Sequence, residues 1–88
     1  MADFETGLLH LAQSLKAMRQ ERGHSQAELA RLAGVPRLKV VQIEAGKPGV
    51  SIAAYARVAA AMGGEMRVVP QQRPTMDEIR ELLGNAYD

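Results

Sequence analysis

The sequence predicts an all-α fold, and three observations carry that reading. Apolar residues recur at helical spacing from Leu8 to Met18. A Ser-x-x-Glu start signal at Ser25 opens two short amphipathic runs divided by Gly34-Val35-Pro36. The composition is 47% hydrophobic but only 3% aromatic, so Leu, Val, Ala and Met must build the core between helices. At 88 residues the chain makes one small domain, the size at which dimerisation adds useful stability.

The elements follow in order. Residues 1–7 read as an N-terminal tail. Leu8, Leu11, Leu15 and Met18 predict a helix from about Gly7 to Arg22 that stops at Gly23. Ser25 is a good N-cap and Glu28 can reach back to its N–H, so a second helix begins at Gln26. Leu29, Leu32 and Ala33 form its apolar stripe, while Ala30 offers a methyl-sized surface for a close crossing. Gly34 can take a positive φ at the helix end, and Pro36 supplies a pre-set φ for the next start. In the third helix Val40 and Ile43 face inward with Val35, leaving Arg37, Leu38, Val41 and Gln42 outward. Two short helices crossing at so tight a turn make a helix-turn-helix. Gly46 to Val50 is a loop, and Ser51 caps a helix carrying Ile52, Tyr55, Ala56, Ala59 and Met62 that ends at Gly63-Gly64.

This places a domain over 8–63, with two further segments behind it. Glu65 to Val69 reads as a short strand bounded by Gly64 and Pro70, within a segment 64–72. A lone strand leaves its N–H and C=O groups unpaired, so Met66, Arg67, Val68 and Val69 are expected to pair with the same strand of a second copy in an intermolecular ribbon. Over 73–88, Thr75 and Glu78 form another start signal, and Met76, Ile79, Leu82 and Leu83 give a short C-terminal helix with one apolar face. So short a helix must dock on its own dimer or on a separate protein.

Charge is divided along the chain. The net charge is only +1, but Lys16 to Lys47 holds seven basic and three acidic residues, whereas Gly64 to Asp88 holds three basic and five acidic. A basic face on the helix-turn-helix can neutralise phosphates, with Lys39 and Lys47 the leading candidates and the acidic tail pointing away. The loop before Ser51, with that cap, can present backbone N–H groups to a phosphate. The absence of cysteine excludes disulfides and thiolate metal sites and suits a reducing cytoplasm. With no basic n-region and no long apolar run, neither a signal peptide nor a membrane span is expected.

Catalysis finds little footing. His10 and His24 are isolated, neither beside a second histidine or a carboxylate at metal-ligand spacing, Ser25 and Ser51 serve as caps, and no phosphate loop or dinucleotide fingerprint is present. No metal, no cofactor and no enzymatic role are expected.

The run Ser-Gln-Ala-Glu-Leu-Ala from Ser25, then Gly34-Val35, then Ile43-Glu44-Ala45-Gly46-Lys47, resembles the Xre-type family that includes the phage repressors and Cro. The resemblance covers roughly Leu15 to Met62. It implies a five-helix, lambda-repressor-like domain whose third helix enters the major groove of DNA. Carried across by position, it assigns Gln26 a phosphate contact, and Arg37, Leu38 and Gln42 base contacts. It also makes Arg19 and Glu44 an ion pair tying the first helix to the end of the third. Pro36, Val41 and Ala45 depart from the residues common in the family. Leu38 and Val41, three apart on the outer face, either meet thymine methyl groups or are covered by neighbouring protein.

The organisation as a whole, with an Arg-x-Val-x-Pro-like run from Arg67 and Arg73-Pro74-Thr75 behind it, looks like HipB-type antitoxins. That resemblance implies a homodimer that represses its own operon at a palindromic operator in double-stranded DNA and holds a kinase-like toxin. A free-standing Xre-type regulator is the second reading. A protein-interaction module that has lost DNA binding is the third.

Overall fold

The computed structural model describes residues 3–70 together with Arg80, Leu83 and Gly84. The first helix, α1, spans Phe4–Glu21. It starts ahead of the expected Gly7 because Asp3 is its N-cap: the Thr6 N–H donates to Asp3 Oδ1 at 2.7 Å. Most of the segment expected as a tail is therefore helix, and Phe4 and Glu5 form its first turn.

Helix α2 spans Gln26–Ala33 and opens with a complete capping box. The Glu28 N–H donates to Ser25 Oγ at 3.0 Å, and the Ser25 N–H donates back to Glu28 Oε1 at 3.4 Å. Its end requires glycine: Gly34 takes φ +70°, and the Val35 N–H then bonds Ala30 O at 3.0 Å. Helix α3 follows at once over Arg37–Glu44, with Pro36 as an N-cap that supplies φ −62° but no side-chain bond. Helix α4 spans Ile52–Ala61, where Ser51 Oγ accepts from the Ala54 N–H at 3.2 Å.

Helix α2 packs against both α3 and α4, and α1 packs against α3. Leu29, Val40, Ile43 and Val58 are the large side chains sealed in the centre, with Ala30 and Ala33 where α2 meets its neighbours. Val35, Leu8, Leu11 and Met18 close the rim as half-buried residues. At the far end of α3, Gly46 with φ +69° lies against α1, where an added Cβ would stand 3.7 Å from Leu9 Cα.

Further sequence expectations are corrected by the fold. The buried face of α4 is Ala54, Tyr55, Val58, Ala59 and Met62, whereas Ile52 is 70% exposed and Ala56 is exposed too. Among so many alanines the apolar pattern does not fix the phase of the helix, and the contacts with α2 do. Leu32 likewise stands half in solvent beside the buried stripe of α2.

The second correction is the helix count: four helices, not five, occur among the described residues. Gly63, with φ +77°, ends α4, and a second glycine and then Pro70 follow closely.

The third concerns the strand. No strand occurs among the described residues, and 64–70 carries neither helix nor strand. A ladder needs a second strand, and the single chain offers none among those residues. Gly64 lies beside Met18 of α1 and Met66 packs on the core rim, after which Val68 is fully exposed and Val69 largely so. Arg67 is exposed as well, with Nε 3.6 Å from Glu65 Oε1. The helix expected over 73–88 lies outside the described residues, apart from Arg80, Leu83 and Gly84, which have helical backbone at Arg80, Leu83 and Gly84 alone.

The Tyr55 hydroxyl is buried without a hydrogen-bond partner among the described residues, and burial pushes its pKa upward. Tyr55→Phe should leave the unfolding free energy measured in urea unchanged or raise it by up to about 1 kcal/mol, because an unsatisfied buried hydroxyl is lost. Val58→Ala should instead cost about 1–3 kcal/mol, and Ile52→Ala almost nothing, a contrast that equal losses at Val58 and Ile52 would refute.

The caps carry a pH signature. Hydrogen bonds from Ser25 lower the Glu28 pKa, chiefly, with a lesser contribution from His24, and the Thr6 N–H lowers that of Asp3. Groups depressed in the folded state stabilise it above their unfolded pKa and lose that contribution as pH falls through the folded one. Between about pH 5 and pH 3 the wild-type chain should therefore lose more of its melting temperature than Glu28→Gln, which keeps the back-bond but cannot titrate. Parallel losses in the two proteins would refute the capping contribution.

Candidate nucleic-acid interface

The outer face of α3 is built by subtraction. Val40 and Ile43 point into the core, so the helix is anchored along one side and its remaining positions are left to solvent. Arg37 is exposed in the first turn, Leu38 is 62% exposed and Val41 38% exposed. These three expected base readers share an open surface. Neither Arg37 nor Lys47 has a carboxylate within ion-pair distance among the described residues, so both charges face solvent there.

Gln42 differs from them. It is half-buried, and its Oε1 is sealed from solvent with no hydrogen-bond donor among the described residues. A buried amide oxygen without a partner costs free energy that an alternative orientation of the side chain would recover. Lys39 is also half-buried, beside Gln42 on the same flank of α3.

The opposite flank of α3 ends in an ion pair. Arg19 Nε donates to Glu44 Oε2 at 2.7 Å and Arg19 Nη2 to Glu44 Oε1 at 3.0 Å, a two-pronged contact. Both side chains are nearly withdrawn from water, at 11% and 5% exposure. The third guanidinium contact is Nη1 to the His24 carbonyl at 2.8 Å, which ties in the turn between α1 and α2. The hydrogen bonds to Glu44 raise the Arg19 pKa against the opposing effect of burial, so the guanidinium stays charged at any ordinary pH.

Gln26 joins this group. Its Nε2 donates to Glu44 Oε1 at 3.2 Å, so the residue expected at a phosphate already spends one amide hydrogen inside the protein. Ser51 Oγ accepts its cap bond and keeps a hydroxyl hydrogen to donate. The Lys47 N–H bonds Gln42 O at 3.0 Å and its side chain is exposed in the loop between α3 and α4.

Two placements have no counterpart in the sequence reading. An added Cβ at Gly34 would stand 3.8 Å from Arg57 Nη1, so the guanidinium of Arg57 rests over the turn between α2 and α3. No spacing rule joins Arg57 to Gly34, because the contact arises from the α2–α4 packing. The second corrects the expectation that His24 stands beside no carboxylate: its Nδ1 lies 3.7 Å from Glu28 Oε2, four residues on at the start of α2. Among the described residues no group of three or more His, Asp or Glu side chains could hold a metal, and His10 is exposed on α1.

The family described as helix-turn-helix domain matches residues 10–67 of the chain. No curated protein matches its sequence. A solved structure titled "MDT Protein" has a similar fold, with a TM-score of 0.67 at 20% identity, covering 74% of this chain and 92% of that one.

The ion pair makes a strong demand on stability. Glu44→Ala leaves Arg19 charged and without its carboxylate in a site closed to water, and should cost about 3–5 kcal/mol in urea unfolding. A wild-type melting temperature for Glu44→Ala would refute the structural role of the pair.

Proposed function

Because the chain belongs to the helix-turn-helix domain family, matched over residues 10–67, we propose that it is a sequence-specific DNA-binding transcriptional repressor. The observation that carries this reading is α3 itself, held to the core by Val40 and Ile43 while Arg37, Leu38 and Val41 stand in solvent. A helix so mounted fits the major groove, where Arg37 would bond a guanine edge and Leu38 and Val41 would meet thymine methyls. Gln42 would complete the set by turning its amide outward to an adenine edge, which would also free its buried oxygen. Gln26, Lys39, Lys47 and Ser51 would bind the phosphates that set the register.

We further propose that two copies act together, through Met66, Arg67, Val68 and Val69, on a palindromic operator. The exposure of Val68 and Val69 supports this, since a ribbon between copies would cover them. The antitoxin and autorepressor of a toxin–antitoxin operon is the favoured role, a toxin being the protein that docks on the C-terminal segment. It rests on the HipB-like organisation of the sequence, and it places the protein in the cytoplasm. No helix among the described residues is long and apolar enough to cross a membrane.

The test is binding to the chain's own upstream DNA, measured against random duplex over a salt series. Gln42→Ala should cost about 1–3 kcal/mol and relax one base position, whereas Lys47→Ala should weaken all sequences alike and lower the salt slope by about 1. Truncation after Gly64 should abolish the dimer seen by size exclusion and weaken the specific complex. Equal affinity for upstream and random DNA would overturn sequence-specific repression, and a monomeric wild-type chain would overturn the ribbon.

A further inference from the structure

The structure links Gln26 and Glu44 across two helices, and that contact has a role that neither residue has alone. Gln26 is the first residue of α2, at the helix end whose N–H groups have no partner within the helix. Glu44 is the last residue of α3. Glu44 Oε1 accepts from Arg19 Nη2 at 3.0 Å and from Gln26 Nε2 at 3.2 Å, while Oε2 accepts from Arg19 Nε at 2.7 Å. Arg19 is itself fixed through the His24 carbonyl at 2.8 Å. The acceptor is therefore immobile before any ligand arrives, and it holds a long amide side chain that would otherwise sample many rotamers.

We propose that Glu44 is a positioning residue for DNA, fixing the Gln26 amide so that its second N–H is delivered to a backbone phosphate. This rests on the DNA-binding reading above. A primary amide has two hydrogens, and the bond to Glu44 uses one. Binding then need not order Gln26, which spares about a two- to tenfold loss of affinity. Arg19 has a second duty in the same arrangement. A bare carboxylate this near a phosphate would repel it, and the two-pronged guanidinium cancels that charge where it arises. The ion pair thus permits an acidic residue to orient a phosphate ligand.

The test uses a mixed-sequence duplex of about 30 base pairs, because phosphate contacts are independent of sequence. Gln26→Ala is measured by fluorescence anisotropy in two backgrounds, the wild-type chain and the double variant Arg19→Met with Glu44→Leu. The double variant replaces both members of the pair by apolar groups and so leaves no buried charge. Gln26→Ala should weaken binding about fivefold in the wild-type chain and less than about twofold in the double variant. Side-chain 15N relaxation of the free wild-type protein gives a second readout that does not depend on either variant folding. The Gln26 amide should be ordered, in contrast to that of exposed Gln20.

An equal loss in both backgrounds, no loss in the wild-type chain, or a Gln26 amide as mobile as that of Gln20 would overturn the positioning role. Failure of the wild-type chain to bind any duplex would instead sink the DNA reading, and this inference with it.

Discussion

The rest of the molecule depends on how an eight-residue helix is held still. Helix α3 is too short to persist alone, since isolated helices below about 12 residues are marginal in water. Burial of Val40 and Ile43 fixes its height over α2, and the short turn at Gly34 fixes where it starts. At the far end, where Ile43 is buried and Gly46 lies against α1, Arg19 and Glu44 add a two-pronged contact that constrains orientation as well as distance. A buried ion pair is a poor source of net stability, since desolvation offsets most of its attraction. Its value in this fold is geometric: it specifies one angle between α1 and α3, and with it the direction in which Arg37, Leu38 and Val41 point.

Local chemistry is the part of this fold most legible in the sequence. The box of Ser25 and Glu28, the left-handed Gly34, the Ser51 cap and the inward pair Val40 and Ile43 each follow from rules acting over three or four residues, and each stands where those rules place it. Where local signals are degenerate, long-range packing decides. In α4, Ile52 and Val58 are both strongly apolar by residue type, and only contact with the rest of the core buries Val58 and leaves Ile52 out. Asp3 stands ahead of the apolar pattern that marks α1, and its Asp-x-x-Thr start signal adds a first turn that the pattern omits. The segment after Gly64 is the clearest failure of local reasoning, because β-propensity describes a residue but a strand is a relation between two segments.

The site shows the same division. Periodicity alone puts Arg37, Leu38 and Val41 on the outside, and the burial of Val40 and Ile43 beneath them agrees. Position along the helix does not give the state of Gln42, whose amide oxygen is turned into the protein, nor the engagement of Gln26 with Glu44 across 18 residues of chain. Both are polar side chains long enough to choose between two partners. Such choices are made by what lies across the interface, and the sequence names that neighbour only after the fold is known.

A single α3 cannot carry much specificity. Three or four side chains reach base edges from one such helix, and each well-made contact discriminates by about 1–3 kcal/mol, while a genome offers on the order of a million or more competing sites. The repressor proposed above would therefore need two reading helices at a fixed separation, and the described helices include no second one. After α4 the described backbone is 64–70, where the chain leaves α1 at Met18 and runs out through Val68 and Val69. In the proposed dimer a ribbon would cover the two exposed valines, so the segment without regular structure in one copy would be the part that sets the spacing of two.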